Sequence, residues 1–429
     1  MKIGFISFPA TGHLNQMTAL ARKLQSRGHE AVMIGIPDTE AHASAANLPF
    51  ISFGEKEHPI GSIAERWSVV GTMEGLEVSR YSFGQLSPDM TRAALKYLPE
   101  ILSKAGIEAM VIDTVFWFAQ LVPMYLGIPF VHIWTVLPFD MSGSTPPLYF
   151  SWPNENTEEA RARNVEGVKT VVEIAMPNAL VAIPFAEEMG LSIDWNDPEA
   201  TNSKLAVISQ IPSEFDYPDI PWPSSFHYAG PFHDGKGRRQ VDFPWDKLSG
   251  EPLIYASLGT VANGRKDLYK TILGAVGPLK GVQVVLSVGD KIDPADLGTL
   301  PANTIAVPEA PQIELLKKAA LCITHAGLNT VLEALAQGVP MVAIPNCYDQ
   351  PGNAARVAYH GLGECVDLDQ LTVERLSELV QKVLKDPGYS EKAKEFQKII
   401  ADRRGLDLAA DVIERAFEIS PVKAGLVEA

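Results

Sequence analysis

The sequence predicts an α/β fold made of two doubly wound domains that face each other across a cleft. Short apolar, strand-like runs alternate with helical patterns in the first third of the chain. The same alternation restarts at residue 252 and continues to residue 366. A polar, glycine-containing stretch at 233–250 separates the two regions. Strands that alternate with helices are typical of parallel sheets covered on both faces.

The first half opens with a βαβ pattern. Residues 2–8 predict a strand, 14–27 a helix ending at Gly28, and 30–36 a second strand. A third unit at 45–53 precedes a poorly patterned insert at 54–87, and long inserts in α/β domains usually carry function. The later elements expected here are a helix at 88–104, a strand at 109–113, a helix at 116–125, a strand at 129–134, helices within 165–188, and strands at 204–210 and 226–229.

The second half repeats the alternation and then ends in helices. The expected strands are 252–257, 282–287, 304–307, 319–324 and 341–344, and the expected helices are 266–276, 328–338, 372–385, 390–400 and 406–419. These patterns give four segments. They are an N-terminal domain at 1–232, a linker at 233–250, a second domain at 251–400, and a C-terminal helical segment at 401–429 that packs back toward the first domain.

Composition and charge exclude several classes of protein. The 429 residues are 46% hydrophobic and 21% charged, which is ordinary for a globular protein. Lys and Arg number 36 against 52 Asp and Glu, a net charge of −16 that argues against a nucleic-acid partner. The three cysteines have no metal or disulfide spacing, so we expect a reducing, cytoplasmic location. The apolar stretch 109–134 is too interrupted to span a membrane, and residues 1–10 predict a strand rather than a signal peptide.

A strand, a short turn and a helix at 319–338 predict an anion site. The turn His325-Ala326-Gly327 leads into a helix whose N-terminus presents unpaired N–H groups and the positive end of its dipole. Leu328, Leu332 and Leu335 share one helical stripe that packs on the sheet. Asn329 and Glu333 share the adjoining polar edge. The next strand delivers Asp349 and Gln350 at its carboxyl end, where open α/β sheets bind ligands, which predicts a nucleotide-sugar site.

Two residues in the first half form a candidate general base and its partner. His13 follows the first strand in the turn Thr11-Gly12-His13, at the cleft. Asp113 ends the apolar strand 109–113, from where a carboxylate can hold one imidazole nitrogen protonated. The alternatives are that His13 caps its helix and that Asp113 caps a helix beginning at residue 116.

Other motifs narrow the chemistry. Ser257-Leu258-Gly259-Thr260 follows a strand and offers hydroxyl and N–H groups to a phosphate. The chain lacks the P-loop pattern, and no GxGxxG follows the first strand, which argues against a P-loop NTPase and a dinucleotide oxidoreductase. No carboxylate cluster predicts a metal site. The aromatic, proline-rich region 135–202 fits either an acceptor-pocket wall or an ordinary capping element.

Together these motifs resemble those of the family 1 glycosyltransferases, which use UDP-sugars and have the GT-B fold of two Rossmann-like domains. The resemblance covers nearly the whole chain except 54–87 and 140–200. The matching segments are TGH at 11–13, VIDTVFWFA at 111–119, AGP at 229–231, SLGT at 257–260, APQ at 310–312, HAGLNT at 325–330, Glu333, GVP at 338–340, DQ at 349–350 and Asn353.

The resemblance implies a role for each matching residue. His13 matches the general base and Asp113 its partner. Glu333 matches the acceptor of the ribose diol, Asp349 and Gln350 the sugar contacts, and Gln350 favours glucose. The donor-binding residues implied are Gly12, Thr260, Ala310, Gln312, His325, Gly327, Asn329, Thr330, Glu333, Asp349 and Gln350.

Two positions depart from the family pattern. Glu309 stands where many members have a tryptophan that stacks on uracil, and Leu328 where plant members have another tryptophan. The change at 309 removes a π-face worth on the order of 1 kcal/mol, by analogy with base stacking.

We therefore expect an inverting glycosyltransferase that moves a hexose from a UDP-sugar, a co-substrate, to a small apolar hydroxylated acceptor. The expected acceptors are phenols, flavonoids, macrolides or carotenoids. No metal, other cofactor, nucleic acid or integral membrane segment is expected, and a monomer is favoured. The alternatives are a UDP-sugar epimerase and a nucleotide-sugar-binding protein without turnover. Candidate acceptor-pocket residues, for each of which core packing is the alternative, are Phe116, Trp117, Trp134 and Phe139.

Overall fold

Each half of the chain forms its own parallel β-sheet. The computed structural model describes residues 1–71, 73–236 and 241–419. In the first sheet the strands are β1 Lys2–Ile6, β2 Glu30–Gly35, β3 Phe50–Ser52, β4 Ala109–Asp113, β5 Phe130–Trp134, β6 Val207–Ser209 and β7 Phe226–Tyr228. In the second they are β8 Leu253–Ser257, β9 Gln283–Ser287, β10 Thr304–Val307, β11 Ala319–Thr324, β12 Met341–Ala343 and β13 Gly363–Cys365.

Helices connect the strands and close the chain. In the first half they are α1 Thr11–Ser26, α2 Glu40–Ala45, α3 Ser62–Val70, α4 Gly75–Tyr81, α5 Ser87–Ala105, α6 Leu121–Leu126 and α7 Glu158–Glu188, with a π-helical segment at Ser82–Leu86. In the second half they are α8 Lys266–Val276, α9 Gln312–Leu316, α10 Leu328–Ala336, α11 Gln350–Tyr359, α12 Val373–Lys385, α13 Pro387–Arg403 and α14 Gly405–Ile419.

The order of the strands places the predicted motifs at the crevice of each sheet. The first sheet runs β3-β2-β1-β4-β5-β6-β7 and the second β10-β9-β8-β11-β12-β13. Strand order therefore reverses between β1 and β4 in one sheet and between β8 and β11 in the other. Ligands of open α/β sheets bind outside the carboxyl ends of the strands at such a point. These are the ends that lead into His13, Asp113, the SLGT turn and the His325 turn.

Three predicted elements differ from the structure. The insert at 54–87 contains α3, α4 and the π-helical segment, because short helices that bury one or two apolar residues leave little periodicity. The helix expected at 116–125 begins only at Leu121, since Phe118 has a left-handed backbone with φ of 65°. The weakly patterned region 165–188 belongs to one helix, α7, which runs through Pro177 and Pro184.

Helix α7 is anchored on the first domain by polar contacts. Asn178 Nδ2 donates to the carbonyl of Phe83 at 2.7 Å, and the hydroxyl of Thr91 donates to Asn178 Oδ1. By length and composition alone α7 could cross a membrane, a test that core helices also pass. The absence of an integral membrane segment therefore stays a prediction.

Residues 62–71 and 73–86, called the strap below, cross from the first sheet to the second half. Val70 and Val78 of the strap share a small apolar cluster with Ala262 and Cys347 of the second half. Arg265 also pairs with Glu74. The cross-connecting hydrogen bonds join Gly264 N to Gly71 O (3.0 Å), Gly75 N to Asn346 O (2.9 Å), Lys291 Nζ to Trp67 O (3.0 Å), and Ser82 Oγ to Tyr348 Oη (2.7 Å).

The chain returns to its first half at the C-terminus. Helix α14 buries Ala409, Ile413 and Phe417 against the first sheet and α1. Arg27 directly follows α1, and its guanidinium binds the carboxylates of Asp407, Asp411 and Glu414. The last ten residues of the predicted segment 401–429, together with 237–240 of the predicted linker and residue 72 of the insert, lie outside the described residues.

A buried ion pair also joins the two halves. Arg356 on α11 and Asp216, in the segment after β6, have side chains exposed by only 3% and 0%. The guanidinium donates to Asp216 Oδ1 at 2.6 and 3.0 Å and lies 4.1 Å from the ring centroid of Tyr217. A buried charge without its partner is strongly unfavourable.

We expect Arg356→Met to destabilise the protein by about 3 to 5 kcal/mol, because it leaves the Asp216 carboxylate buried and unpaired. Chemical denaturation measures the change. Arg375→Met, which breaks an exposed pair with Glu378, is the control and should cost less than about 1 kcal/mol. Adding Asp216→Asn to Arg356→Met should recover part of the loss. Equal effects of the two arginine substitutions would contradict the prediction.

Candidate active site

His13, Asp113 and Thr135 meet at the carboxyl ends of β1, β4 and β5. His13 Nδ1 lies 2.8 Å from Asp113 Oδ2. The hydroxyl of Thr135 lies 2.7 Å from the same nitrogen and donates to Asp113 Oδ1 at 2.9 Å. Because the Thr135 proton goes to the carboxylate, Nδ1 of His13 is the protonated nitrogen. Nε2 is then the free base of the imidazole, as general-base catalysis requires.

Asp113 is fully buried and remains a carboxylate. The N–H of Phe8 and the hydroxyl of Ser7 donate to Oδ2, at 3.1 and 3.2 Å, and the N–H of Val115 donates to Oδ1 at 3.1 Å. Burial opposes the charge, but His13 and these donors outweigh it and hold the pKa of Asp113 below its usual range. Asp113 does not cap a helix that begins at residue 116, because the helix that follows it, α6, begins at Leu121.

A series of aromatic contacts starts at His13 and continues into both halves of the chain. Phe8 lies 5.4 Å from the His13 ring and contacts Trp67 and Phe83 at centroid distances of 5.9 and 6.1 Å. Phe83 stacks on Trp117 at 4.8 Å and meets Tyr348 edge-on at 6.0 Å. We call these residues the aromatic wall: Phe8, Trp67, Phe83, Trp117 and Tyr348.

Of the predicted acceptor-pocket residues, the structure brings Trp117 into the aromatic wall. Phe116 is buried and packs on Phe53 with ring centroids 6.4 Å apart, as a core residue does. Trp134 is half-buried at the end of β5, and Phe139 packs against the core. Trp67 and Phe83 were not predicted, because they lie in the weakly patterned insert, where no local signal marks them.

Asn329, in the first turn of α10, connects the two halves at the cleft. Its amide Nδ2 donates to the carbonyl of Gly12 at 2.9 Å. Its Oδ1 accepts from Gln16 Nε2 at 2.7 Å and from Gln210 Nε2 at 3.1 Å. A Cβ at position 12 would lie 3.1 Å from Asn329 Nδ2, so glycine permits this approach. Gln16 and Gln210 were not predicted, since nothing in either local sequence indicates a contact with α10.

His325 lies between two glycines before α10. A Cβ at Gly259 or at Gly327 would lie 2.5 Å from its Nε2, so both positions require glycine. The residue is partly exposed as a whole, but its Nδ1 is buried, and burial lowers the pKa of His325 to about 4. The ring is therefore neutral at pH 7 and can donate a hydrogen bond to an anion but supplies no charge. Thr260 is exposed in the neighbouring turn.

The predicted nucleoside contacts lie together beside the first two turns of α10. Gln312 Nε2 donates to Glu333 Oε2 at 2.8 Å and lies 3.4 Å from the Thr330 hydroxyl. Tyr255, which sequence analysis missed, donates to Gln312 Oε1 at 3.1 Å. His233 Nε2 is 3.7 Å from Glu333 Oε1. Ala310 is half-buried in the loop before α9, and the adjoining Glu309 is exposed.

Asp349 and Gln350 sit at the start of α11, on the cleft side of the second sheet. Asp349 Oδ2 accepts from the N–H of Leu137 at 3.1 Å and from Asn353 Nδ2 at 3.0 Å. Burial raises the pKa of Asp349, although these donors and His13 oppose the shift. Gln350 Oε1 accepts from the N–H groups of Asn346 and Cys347, at 2.9 and 3.0 Å. The side-chain carbonyl of Gln350 is thus already hydrogen-bonded to the loop that precedes it.

Comparison with known proteins identifies the family to which this site belongs. The family model described as UDP-glucoronosyl and UDP-glucosyl transferase matches residues 213–416. A zeaxanthin glucosyltransferase from Pseudescherichia vulneris is 31% identical over 416 residues, 95% of this chain and 96% of that protein. The chain belongs to the family 1 glycosyltransferases. The NDP-glycosyltransferase YjiC from Bacillus subtilis (strain 168) is 29% identical over 420 residues, 98% of both proteins.

A solved structure shows the same fold as this glycosyltransferase. The glycotransferase of kitacinnamycin superposes with a TM-score of 0.75 at 24% identity, covering 97% of this chain and 98% of that one. The predicted GT-B fold is therefore confirmed. The prediction of a glycosyltransferase is confirmed by the family, which favours a transferase over the epimerase alternative. Within the described parts of the chain, His, Cys, Asp and Glu form no group of three or more arranged to hold a metal.

Two buried histidines make stability depend on pH. Burial lowers the pKa values of His325 and His132 to about 4, below the value of about 6.5 in an unfolded chain. Between these values the unfolded state binds more protons, so stability is full above about pH 6.5 and falls as the pH is lowered toward 4. We expect the melting temperature to drop from about pH 7 to about pH 5, and to drop less in His132→Gln. A melting temperature independent of pH over this range would contradict the assignment.

Proposed function

We propose that this glycosyltransferase is an inverting enzyme that transfers a hexose, with glucose expected first, from a UDP-sugar to a hydroxyl of a small lipophilic acceptor. The observation that carries the proposal is the pairing of His13 with the ionised Asp113 directly across the cleft from the N-terminus of α10. One side supplies a base and the other a site for an anion. A base opposite an anion site fits displacement of a diphosphate by an acceptor oxygen.

The proposed reaction is a single displacement. Nε2 of His13 takes the proton of the acceptor hydroxyl as its oxygen attacks the anomeric carbon. The bond from that carbon to the UDP oxygen breaks on the opposite face, so an α-linked donor gives a β-glycoside. Asp113 stabilises the imidazolium that forms, and Thr135 holds the carboxylate in place. The departing diphosphate accepts hydrogen bonds from the N-terminus of α10 and from neutral His325.

Acceptor class follows from the aromatic wall beside the base. Phe8 lies against the His13 ring and continues through Phe83 to the half-buried Trp117, an apolar lining that suits a flat or extended apolar molecule with a hydroxyl. The Pseudescherichia vulneris relative is named for zeaxanthin. Carotenoids, flavonoids, phenols and macrolides are the classes to screen first.

We further propose a cytoplasmic, monomeric enzyme that needs no metal, so turnover should persist in a chelator.

His13→Ala should lower turnover by roughly 100-fold to 10,000-fold, the usual contribution of a general base, while UDP binding stays unchanged. Product formation by mass spectrometry and UDP binding by calorimetry measure the two effects. Asp113→Asn should also slow turnover, because a carboxamide no longer holds Nδ1 as the protonated nitrogen.

His227→Ala is a matched control for His13→Ala. His227 is half-buried in the edge strand β7, away from Asp113, and its loss should leave turnover unchanged. Full activity in His13→Ala would rule out the base assignment.

Glu333→Ala should weaken UDP binding by roughly 10-fold or more, since the ribose diol loses a charged acceptor. Glu314→Ala, which removes an exposed carboxylate on the preceding helix α9, is the control and should bind UDP normally. Calorimetry distinguishes the two. Equal affinities in both variants would place the ribose elsewhere.

A further inference from the structure

The loop between β12 and α11 contains a polar side chain that the proposed reaction has not used. This loop, residues 344–349, follows the carboxyl end of β12 at the cleft. The N–H of Asn346 donates to Gln350 Oε1 at 2.9 Å, and its carbonyl accepts from the N–H of Gly75 in the strap at 2.9 Å. The backbone of Asn346 is therefore hydrogen-bonded on both sides.

The side chain of Asn346 is buried without a partner. The residue is 7% exposed, and neither Oδ1 nor Nδ2 has a hydrogen-bond partner among the residues that the structure describes. An amide buried without hydrogen bonds is unfavourable, and most buried polar groups in folded proteins are satisfied. A free donor and a free acceptor are thus held side by side in the loop that leads to Asp349 and Gln350.

Gln350 does not supply the same groups. The resemblance to the family assigns it to the sugar, but its Oε1 already accepts from two backbone N–H groups, and its Nε2 lies 3.5 Å from the Cys347 sulfur. Gln350 Oε1 therefore holds the loop in shape, and Asn346 adds a carboxamide that has no partner among the described residues.

The loop that contains Asn346 contacts the first half of the chain at both of its ends. The backbone carbonyl of Asn346 accepts from the N–H of Gly75 in the strap, and Tyr348 belongs to the aromatic wall. Asp349 accepts from the N–H of Leu137, two residues after Thr135. The resemblance to the family places the transferred sugar against Asp349 and Gln350, at the end of this loop.

We propose that the carboxamide of Asn346 hydrogen-bonds hydroxyl groups of the transferred hexose and selects a hydroxylated sugar over a deoxy sugar. The inference rests on the proposed function and refines its donor. Each sugar hydroxyl both donates and accepts, and a carboxamide can answer both roles at once. A deoxy sugar that lacks the contacted hydroxyl would leave the buried amide unpaired, the situation in which polar sites discriminate most strongly.

A nearly isosteric apolar substitution at Asn346 tests whether its side chain contacts a ligand or supports the fold. Asn346→Leu removes an unpaired buried amide, so the ligand-free protein should melt at the same or a higher temperature than the wild type. Asn303 provides the contrast, because its Nδ2 donates to the carbonyls of Val276 and Leu279 at 3.3 and 3.2 Å. Asn303→Leu should lower the melting temperature.

The binding experiment compares UDP-glucose, UDP-6-deoxyglucose, UDP-4-deoxyglucose and UDP by calorimetry, in wild-type protein and in Asn346→Leu. We expect UDP affinity to be unchanged in the variant and UDP-glucose affinity to fall at least 10-fold. We also expect the wild type to bind one deoxy donor at least 10-fold more weakly than UDP-glucose, and the variant to lose that difference.

Three results would overturn the inference. A loss of melting temperature as large as that of Asn303→Leu would make Asn346 structural. Equal weakening of UDP and UDP-glucose would place the contact on the nucleotide. Unchanged UDP-glucose binding and selectivity in the variant would leave Asn346 without a role in the donor. Failure of the proposed function is distinct, because the wild type itself would then bind neither UDP nor UDP-glucose in this experiment, and that result overturns both.

Discussion

The first half of the active site is arranged around one buried negative charge. Asp113 is fully inaccessible to solvent, and an unpaired carboxylate in such a place would be untenable. Its oxygens are therefore surrounded by donors from the ends of three strands, including the backbone of Phe8, the Thr135 hydroxyl and His13. The same donors that stabilise the charge also fix the imidazole. The contacts that stabilise this part of the fold are therefore also the contacts that orient His13.

A second set of contacts holds His13 close to the second half of the chain. Asn329 lies where α10 begins, and its carboxamide binds Gly12 and two glutamines of the first domain. The strap makes a further connection on the other side of the cleft, through Gly71 and Gly75. The GT-B architecture leaves the two sheets separate, so the relative position of the two halves is set by these polar contacts together with the apolar cluster of the strap and the Arg356–Asp216 ion pair.

Sequence analysis predicted the two sheets and the motifs at their crevices, because parallel strands impose a strong pattern and place chain-distant turns at one edge. It placed His13 and Asp113 together for the same reason. It could not find Thr135, Gln210 or Asn346, whose roles depend on packing between distant segments rather than on local pattern. The rest of the aromatic wall apart from Trp117 was not predicted either, since an aromatic residue in a weakly patterned insert looks the same whether it lines a pocket or fills a core.

Gly12, which precedes His13, allows Asn329 of the second half to approach closely. Asn329 approaches so closely that one methyl group on Gly12 would press against its amide and displace it by a few tenths of an ångström. Gly12 is bonded directly to His13, and Asn329 lies in the first turn of α10, so the change would push the start of α10 away from the helix that carries His13. Catalytic geometry is sensitive to shifts of about 1 Å. The absence of a side chain at position 12 therefore sets how closely the two halves approach each other beside His13.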